Sequence, residues 1–337
     1  MIEEGKAYTA GNSFRARAEA QQRRFRANEL KLPQGRYGHW LRDEDAARGA
    51  NFYGRAYEVA SKRARDGKGV NKARTMGNML SSQAMCFNIF GNLLTEDGLA
   101  LATTALQKFT PTIHQVKQID IEYTPNKDVF GDQSGQAGVD CDVLIEYIAA
   151  NGEGGLLAVE TKFVEEEFSA CGFRKNVKKA DPGRISCSEG TRPGNNFDGC
   201  LYVSRKHYGY WDQSRRLGTL RPDVLEGDQP CPFGDGMWQL WVNHTLVHAE
   251  ASKRKLKEAF FAVCAPKGND KLLKGERIID DFKKYLADPA SMLLIELEDF
   301  IDALQSSAGP DHQKWIDYLK QRYVIRDQSP SNSAGVH

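Results

Sequence analysis

Two apolar segments joined by a glycine-rich turn constrain the fold of this chain more than any other feature. The segments run from about Val139 to Tyr147 and from about Gly155 to Phe163, and residues 150–154 connect them. Gly and Asn in that connection tolerate the positive φ angles that a tight reversal requires. The pattern therefore predicts a β-hairpin made of two buried strands.

Charged residues interrupt both strands of this hairpin. Glu160 and Lys162 lie two residues apart, so they share one face of the second strand, and Asp142 interrupts the first strand. Burying an unpaired charge is costly, so these residues require a partner. Asp142 and Glu160 can bind one divalent cation, with the main-chain carbonyl of Thr161 as a further ligand and Lys162 beside it. The alternative is a structural acid–lysine ion pair at a strand end.

The segments around the hairpin predict a defined order of elements. A buried helix is expected over residues 78–94, capped by Ser81 or Ser82, and another over 98–108. A strand is expected over His114–Tyr123, where apolar residues alternate. After the hairpin, the pattern predicts helices over 237–254, 277–287, 297–305 and 311–322, and strands over 258–264 and 291–296.

This order, together with the charged hairpin, resembles the PD-(D/E)XK nuclease superfamily, the restriction-endonuclease-like fold. The resemblance covers about residues 78–300 and implies an α/β fold with an αβββαβ core, in which helices flank a mixed central sheet. Within the superfamily the chain looks closest to a group of restriction endonucleases whose first core helix reads SSQ-A-x-x-F-N-x-F, as Ser81 to Phe90 does here. Phe163 stands where that group has an aromatic Tyr after the E-x-K triplet.

The resemblance implies a nuclease that depends on Mg²⁺, with Mn²⁺ able to substitute, and that hydrolyses DNA phosphodiester bonds in restriction or defence. Asp142, Glu160 and Lys162 would be the catalytic residues. Gln239 resembles a glutamine that some members place beside the site. Many members cut as dimers, so a homodimer is a further expectation.

The first core helix of the superfamily often contributes an acid near the metal. Gln83 occupies this helix here, so it would act by hydrogen bonding or through water, or else belong to an ordinary polar face. The acidic residues Asp140, Glu122 and Glu165 are weaker candidates, and solvated positions are an alternative for Asp140 and Glu165.

Two other functions remain open at this stage. One is a non-catalytic nucleic-acid-binding protein that keeps the nuclease fold, and the other is a nuclease directed at RNA. The intact set of Asp142, Glu160 and Lys162 argues against the first, because a lapsed site would be free to lose charges that are costly to bury.

The chain divides by composition into three parts. Residues 1–77 form a basic helical N-terminal region: the first 80 residues carry 17 Lys and Arg against 9 Asp and Glu, which indicates a phosphate-binding surface or a solvated helix face. Residues 78–325 form the nuclease domain, with an insertion at about 166–236 where periodicity fails. Residues 326–337 have the composition of a disordered tail.

The insertion interleaves basic and aromatic residues over 202–216. Such a pattern suits nucleic acid, because cations bind phosphates and exposed rings stack on bases. A folded subdomain with buried aromatic residues is an equal alternative. The candidate nucleic-acid contacts are Arg205, Lys206, Tyr208, Arg215 and Arg216.

The insertion also contains Cys171, Cys187, Cys200 and Cys231, which could bind zinc or an iron–sulfur cluster. No C-x₂-C pair is present among them, so ordinary thiols are favoured. Cys86, Cys141 and Cys264 lie in apolar segments and are expected in the core. Seven cysteines without a secretory signal or an apolar segment of about 20 residues predict a cytoplasmic protein with reduced thiols and no membrane span.

Overall fold

A computed structural model describes residues 2–67, 69–130, 140–172, 200, 203, 208–226, 230–234, 236–275 and 277–326. The predictions for Cys187, Arg205 and Lys206, and for the tail after residue 326, lie outside these ranges.

Five strands in the described residues form one mixed sheet, in the order β1-β2-β3-β4-β5. The strands are β1 Ile113–Tyr123, β2 Cys141–Ala149, β3 Gly154–Thr161, β4 Glu258–Ala265 and β5 Met292–Glu296. β1, β2 and β3 form an antiparallel meander, whereas β4 and β5 continue the sheet in parallel. Each strand begins and ends within two residues of its predicted bounds, which confirms the predicted fold class.

Helices flank both faces of this sheet. The N-terminal half contains α1 Phe14–Asn28, α2 Asp43–Ala47, α3 Ala56–Arg65, α4 Lys72–Gly77, α5 Ser82–Phe90 and α6 Glu96–Leu106. The C-terminal half contains α7 Tyr210–Leu217, α8 Pro222–Glu226, α9 Met237–Arg254, α10 Asp270–Leu273, α11 Arg277–Lys283, α12 Leu297–Ser307 and α13 Gln313–Tyr323. α7 and α8 lie in the insertion, where the sequence showed no helical periodicity.

The helix α5 begins later than the sequence predicts. The hydroxyl of Ser81 accepts a hydrogen bond from the main-chain N–H of Ala84 at 3.3 Å, so Ser81 is the capping residue. The helix ends in a 3₁₀ turn over Gly91–Leu93. Residues 84–90 are all buried, because this helix lies inside the core.

Alternate residues of β3 supply two hydrophobic cores. Leu157 and Val159 belong to a core that includes residues of α1, α5, α6, α12 and α13. Leu156 and Ala158 face the opposite way, into a core with α7, α9 and α11. Both faces of the strand are therefore covered, which explains why its sequence is apolar throughout.

The N-terminal region shares the first core rather than standing apart. Phe14, Ala18 and Phe25 of α1 pack in that core, and α1 contacts α13. The side chain of Gln22 donates a hydrogen bond to the carbonyl of Arg322 at 2.5 Å. The predicted boundary near residue 77 thus separates segments of different charge that pack around the same sheet. Among the helices that the structure describes, none combines the length and the apolar character needed to cross a membrane.

Candidate active site

The register of the hairpin puts the two predicted carboxylates on one face. Val143 pairs with Val159 across β2 and β3, so Asp142 stands opposite Glu160 one position further along. Side chains of directly opposite residues point to the same side of a sheet. Lys162 follows on that side, which is the side covered by α9.

Glu160 is 4% exposed and is held by three donors. Its Oε1 accepts a hydrogen bond from Nε2 of Gln239 at 2.7 Å and forms an ion pair with Nζ of Lys162 at 2.8 Å. Its Oε2 accepts a hydrogen bond from Nδ2 of Asn243 at 2.9 Å. Gln239 and Asn243 are four residues apart, so one face of α9 presents both amides to the carboxylate.

Lys162 is 8% exposed and lies within a polar pocket. Its Nζ donates a hydrogen bond to Oε1 of Gln239 at 3.1 Å and stands 5.6 Å from the ring centroid of Phe168. Burial disfavours the ammonium form, but Glu160, Glu165 and Asp142 outweigh that effect and raise the pKa of Lys162. The lysine is therefore a cation in this structure.

Asp142 is fixed by the residue that follows Glu160. The main-chain N–H and the hydroxyl of Thr161 both donate to Oδ2 of Asp142, at 2.7 and 2.6 Å. Burial and the negative charges of Glu160 and Glu122 raise the pKa of Asp142 well above its usual value, although Lys162 and Thr161 act in the opposite direction. The site thus holds carboxylates that repel one another.

The structure adds Glu122, a weaker candidate in the sequence, to this cluster. It lies near the end of β1, is 5% exposed and has a φ of 54°, a value that is rare for a residue with a side chain. Nε2 of Gln83 donates a hydrogen bond to its Oε1 at 2.6 Å. Burial raises the pKa of Glu122 to about 7, opposed by Gln83 and reinforced by the charges of Glu160 and Asp140. Asp140 is partly buried, and burial and Glu160 raise its pKa too.

Gln83 contributes to the site through Glu122. Its contacts in the described part of the chain run to Glu122, Gly69, Asn71 and Thr75, rather than to Asp142 or Glu160. The glutamine therefore orients an acid on β1 instead of replacing an acid on the helix.

Glu165, in the loop after β3, connects this loop to α5. Its carboxylate accepts hydrogen bonds from Oγ of Ser82 at 2.5 Å and from the main-chain N–H of Phe163 at 2.8 Å. It also forms an ion pair with Arg74 at 3.5 Å. The interpretation of Glu165 as a purely solvated acid does not agree with these contacts.

Three residues that contact the site were not predicted to belong to it. Asn243 could have been found from its spacing, because it follows Gln239 by one helical turn. Ser82 and Phe168 gave no such signal, since each reaches the site through a loop or a helix end whose position depends on the tertiary fold.

The donor set fits a hard divalent cation. A carboxylate offers about four acceptor positions. Three hydrogen-bond donors occupy the carboxylate of Glu160. Both hydrogen-bond donors at Asp142 bind its Oδ2 atom. Mg²⁺ uses oxygen ligands and only one or two carboxylates. Among the described residues, no group of three or more His, Cys, Asp or Glu side chains is arranged to hold a metal ion.

The aromatic side chains of the insertion that the structure describes are buried. Tyr208 is buried with its ring 5.6 Å from that of Tyr210, and Tyr210 lies 4.8 Å from Phe130. Trp211 is buried against Trp241 at 4.4 Å. The ring of Tyr208 is therefore not placed to stack on bases. Arg215 and Arg216 lie on the exposed side of α7.

The insertion cysteines are predicted to be ordinary thiols, with a zinc or iron–sulfur site as the alternative. Cys171, Cys200 and Cys231 are partly exposed, and their fourth candidate partner lies outside the described residues. Both interpretations stay predictions. Cys86, Cys141 and Cys264 are buried, which confirms their expected place in the core.

A family model for the PD-(D/E)XK nuclease superfamily matches residues 9–181 and 226–325. The chain therefore belongs to this superfamily. The unmatched gap falls inside the predicted insertion, and the match includes most of the basic N-terminal region. No curated protein and no solved structure matched the chain in the corresponding searches.

Proposed function

We propose that the chain is a Mg²⁺-dependent nuclease that hydrolyses phosphodiester bonds in DNA. One observation carries the proposal: Asp142 and Glu160 stand opposite each other on neighbouring strands, and Lys162 lies 2.8 Å from Glu160 on the same face. Membership of the nuclease superfamily supports it.

Asp142, Glu160 and the main-chain carbonyl of Thr161 would hold the metal ion. When bound, Mg²⁺ or Mn²⁺ would supply a Lewis acid and a coordinated water that ionises more readily than bulk water. Two donors from Thr161 fix the position of Asp142, and the amides of Gln239 and Asn243 fix the position of Glu160. The carboxylates are thus oriented before the metal arrives.

Lys162 would stabilise the negative charge that develops on the phosphoryl oxygens. The surrounding carboxylates raise its pKa, so it presents an ammonium group rather than a base. Gln239 donates to Glu160 and accepts from Lys162, so it fixes the distance between the metal-binding acid and the cation.

The finer parts of the proposal rest on different grounds. An endonucleolytic mode and a role in restriction or defence rest on the resemblance of α5 to the restriction-endonuclease group, and action as a homodimer rests on the wider superfamily. A cytoplasmic location rests on the seven cysteines without a secretory signal. Analytical ultracentrifugation tests the dimer.

The test is incubation of the purified chain with supercoiled plasmid, linear duplex, single-stranded DNA and RNA, each with Mg²⁺, Mn²⁺ or EDTA. We expect metal-dependent cutting of the circular plasmid, which only an endonuclease can cut. Lys162→Ala and Asp142→Ala should abolish it, whereas Lys314→Ala, which removes an exposed lysine, should not. Cleavage that survives both site variants would show that the site is assigned wrongly. If no substrate is cut with any metal, the non-catalytic binding protein becomes the better hypothesis, and cleavage of RNA alone favours the RNA-directed nuclease.

A further inference from the structure

Two aromatic side chains stand exposed side by side in the N-terminal region. Among the described residues, the exposed large hydrophobic side chains are Ile2, Tyr8 and Tyr37, and Tyr8 and Tyr37 are 62% and 41% exposed. Their ring centroids are 4.8 Å apart, although the residues are distant in sequence. Folding has therefore brought two exposed aromatic rings, distant in sequence, together where a ligand can reach them.

These rings form a platform with neighbouring side chains. The ring of Tyr37 stacks on His39 with 6.0 Å between centroids and an interplanar angle of 11°. The guanidinium of Arg36 lies 3.6 Å from the ring centroid of Trp40 and 5.6 Å from that of Tyr37. The surface thus alternates flat rings with a flat cation.

The platform is anchored to the core. The main-chain N–H groups of Tyr8 and Thr9 donate to the carboxylate of Glu19, at 2.5 and 2.8 Å, and Glu19 is buried in α1. Buried Arg26 donates to the carbonyls of Glu3 and Glu4, at 2.9 and 3.0 Å. Tyr8 is therefore held by specific bonds rather than lying on a loose end.

Two adjoining cavities border the platform and carry a strong positive charge. The first, of about 400 Å³, is lined by Tyr8, Tyr37 and Trp40 together with Arg15, Arg36 and Arg74. The second, of about 750 Å³, shares Arg36 and Trp40 and adds Arg42 and Lys72. The described lining residues include five cations and one acid, Asp43. Two of the cations also pair with acids outside the lining, Arg42 with Glu44 and Arg74 with Glu165. We call these two cavities and their rings the N-terminal groove.

The N-terminal groove adjoins the candidate active site. Nη1 of Arg15 donates a hydrogen bond to the carbonyl of Val164 at 3.4 Å, and Arg74 pairs with Glu165 at 3.5 Å. Glu165 follows Lys162 by three residues, so their Cα atoms are at most about 11 Å apart. A strand bound at the active site can therefore reach the groove within a few nucleotides.

We propose that the N-terminal groove binds an unpaired nucleotide of the substrate strand. Bases in a duplex stack on one another and hide their faces, whereas an unpaired base can stack on exposed rings such as Tyr8 and Tyr37. The cations that line the groove neutralise the adjoining phosphates. This proposal rests on the proposed function, because it is the strand cut at Asp142 and Glu160 that would enter the groove.

The test measures binding without cleavage. The Asp142→Asn variant in EDTA is titrated into a labelled 12-nucleotide oligo(dT), the matching RNA 12-mer, a blunt duplex and a duplex with a three-nucleotide overhang, and fluorescence anisotropy is recorded. Added to this variant, Tyr8→Ala with Tyr37→Ala should weaken binding of the single strands and the overhang by about tenfold or more, and binding of the blunt duplex by less than about threefold.

Two controls separate stacking from folding and from charge. Tyr8→Phe with Tyr37→Phe keeps the rings and should retain oligo(dT) binding, whereas Lys314→Gln removes a cation elsewhere and should leave the affinity unchanged. Arg36→Gln with Lys72→Gln should lower the salt dependence of binding, because fewer counterions are released.

The experiments can contradict the groove proposal and the proposed nuclease function independently of each other. If the double alanine variant binds oligo(dT) as well as the double phenylalanine variant, or if no oligonucleotide binds the chain, the groove proposal is overturned even where plasmid is cut. If ring-dependent binding is present but the wild-type chain cuts no substrate, the groove stands and the proposed function fails. An equal loss for the blunt duplex would also overturn the proposal, because it would indicate a duplex-binding surface.

Discussion

Two of the clusters in which the described residues bury charge are built on opposite principles. One surrounds Arg322, which is fully buried between α1, α13 and the loop before α3. The guanidinium donates to Oε1 of Gln22 at 3.0 Å, to the carbonyl and Oδ1 of Asn51 at 2.8 and 2.9 Å, and to the hydroxyl of Tyr318 at 2.5 Å. All of these acceptors are neutral groups, so one positive charge is satisfied without a counter-ion.

The other cluster is the candidate active site, where the ammonium group of Lys162 pairs with Glu160 and where Asp142 and Glu122 are further buried carboxyl groups. Here burial and like charges raise the pKa of Asp142 and of Glu122. The Arg322 cluster is complete as it stands, whereas the active-site cluster carries repulsion that a divalent cation would remove. A buried charge with saturated neutral partners therefore supports the fold, whereas crowded like charges indicate a binding function.

The largest expected effect comes from Asp142→Asn, which should separate activity from stability. We expect plasmid cleavage to fall by about 10³-fold, because one metal ligand loses its charge. The metal-free stability should not fall at pH 8. The raised pKa of Asp142 means that its ionised form opposes folding at that pH, and Asn keeps an oxygen for the donors of Thr161. Cleavage rates measure the activity, and urea unfolding in EDTA measures the metal-free stability. A clear loss of stability would contradict the interpretation that ionised Asp142 opposes folding.

Arg322→Met should have the reverse effect, on stability rather than chemistry. It would leave the buried acceptors of Gln22 and Asn51 without donors, so the free energy of unfolding should fall by about 3 kcal/mol or more. Urea denaturation measures this loss. Arg326→Met, in which the arginine replaced is exposed, is the matched control and should change stability little. A stable Arg322→Met protein would show that the cluster does not support the fold.

The pH dependence of stability should depend on Glu122. Its folded pKa of about 7 lies above its ordinary value of 4.5, so its contribution to stability is present below pH 4.5 and is lost as the pH rises through 7. Metal-free wild-type protein should therefore lose about 2–3 kcal/mol from this group between pH 4.5 and 8.

Glu122→Gln should remove that part of the pH dependence and be more stable than wild type at pH 8. Urea unfolding in EDTA at several pH values measures the slope. Glu153→Gln, in the exposed hairpin turn, is the control and should keep the wild-type slope. Identical slopes for Glu122→Gln and wild type would mean that Glu122 is ionised in the folded state.

The smallest effect is expected at Asn243, which contacts only one member of the cluster. Asn243→Ala should raise the Mg²⁺ concentration for half-maximal activity by about tenfold, because Glu160 loses a positioning hydrogen bond. The rate at saturating Mg²⁺ should change little. Gln239→Ala, which frees both Glu160 and Lys162, should lower that saturating rate as well. Equal behaviour of the two variants would contradict the distinct roles assigned to them.

Much of the fold follows from local pattern. The hairpin, the alternation in β1 and the helix–strand order after residue 236 each depend on side-chain periodicity, which the sequence displays directly. The insertion was not predictable in this way, because α7 has only eight residues and its Tyr210 and Trp211 pack against α9 and Phe130, which are distant in sequence. Its interleaved aromatic residues predicted a nucleic-acid surface or a folded subdomain with equal force, and the structure shows that the described ones are buried.

In the N-terminal region too, the sequence did not predict which side chains lie together. Its composition indicated a basic surface or a solvated helix, and neither interpretation located Tyr8 beside Tyr37. The contacts of Glu19 with the main chain of Tyr8 and Thr9, and of Arg26 with Glu3 and Glu4, hold Tyr8 in that position.

The placement of Asp142, Glu160 and Lys162 on one hairpin is predictable from the sequence, because strand periodicity and the turn fix which residues face the same side. The tertiary structure decided what surrounds them: the amides of Gln239 and Asn243 from α9, the acid Glu122 from β1, and the link from Gln83 to that acid. These contacts join residues up to 83 positions apart. Local pattern cannot encode such distances, because they depend on how helices pack across the completed sheet.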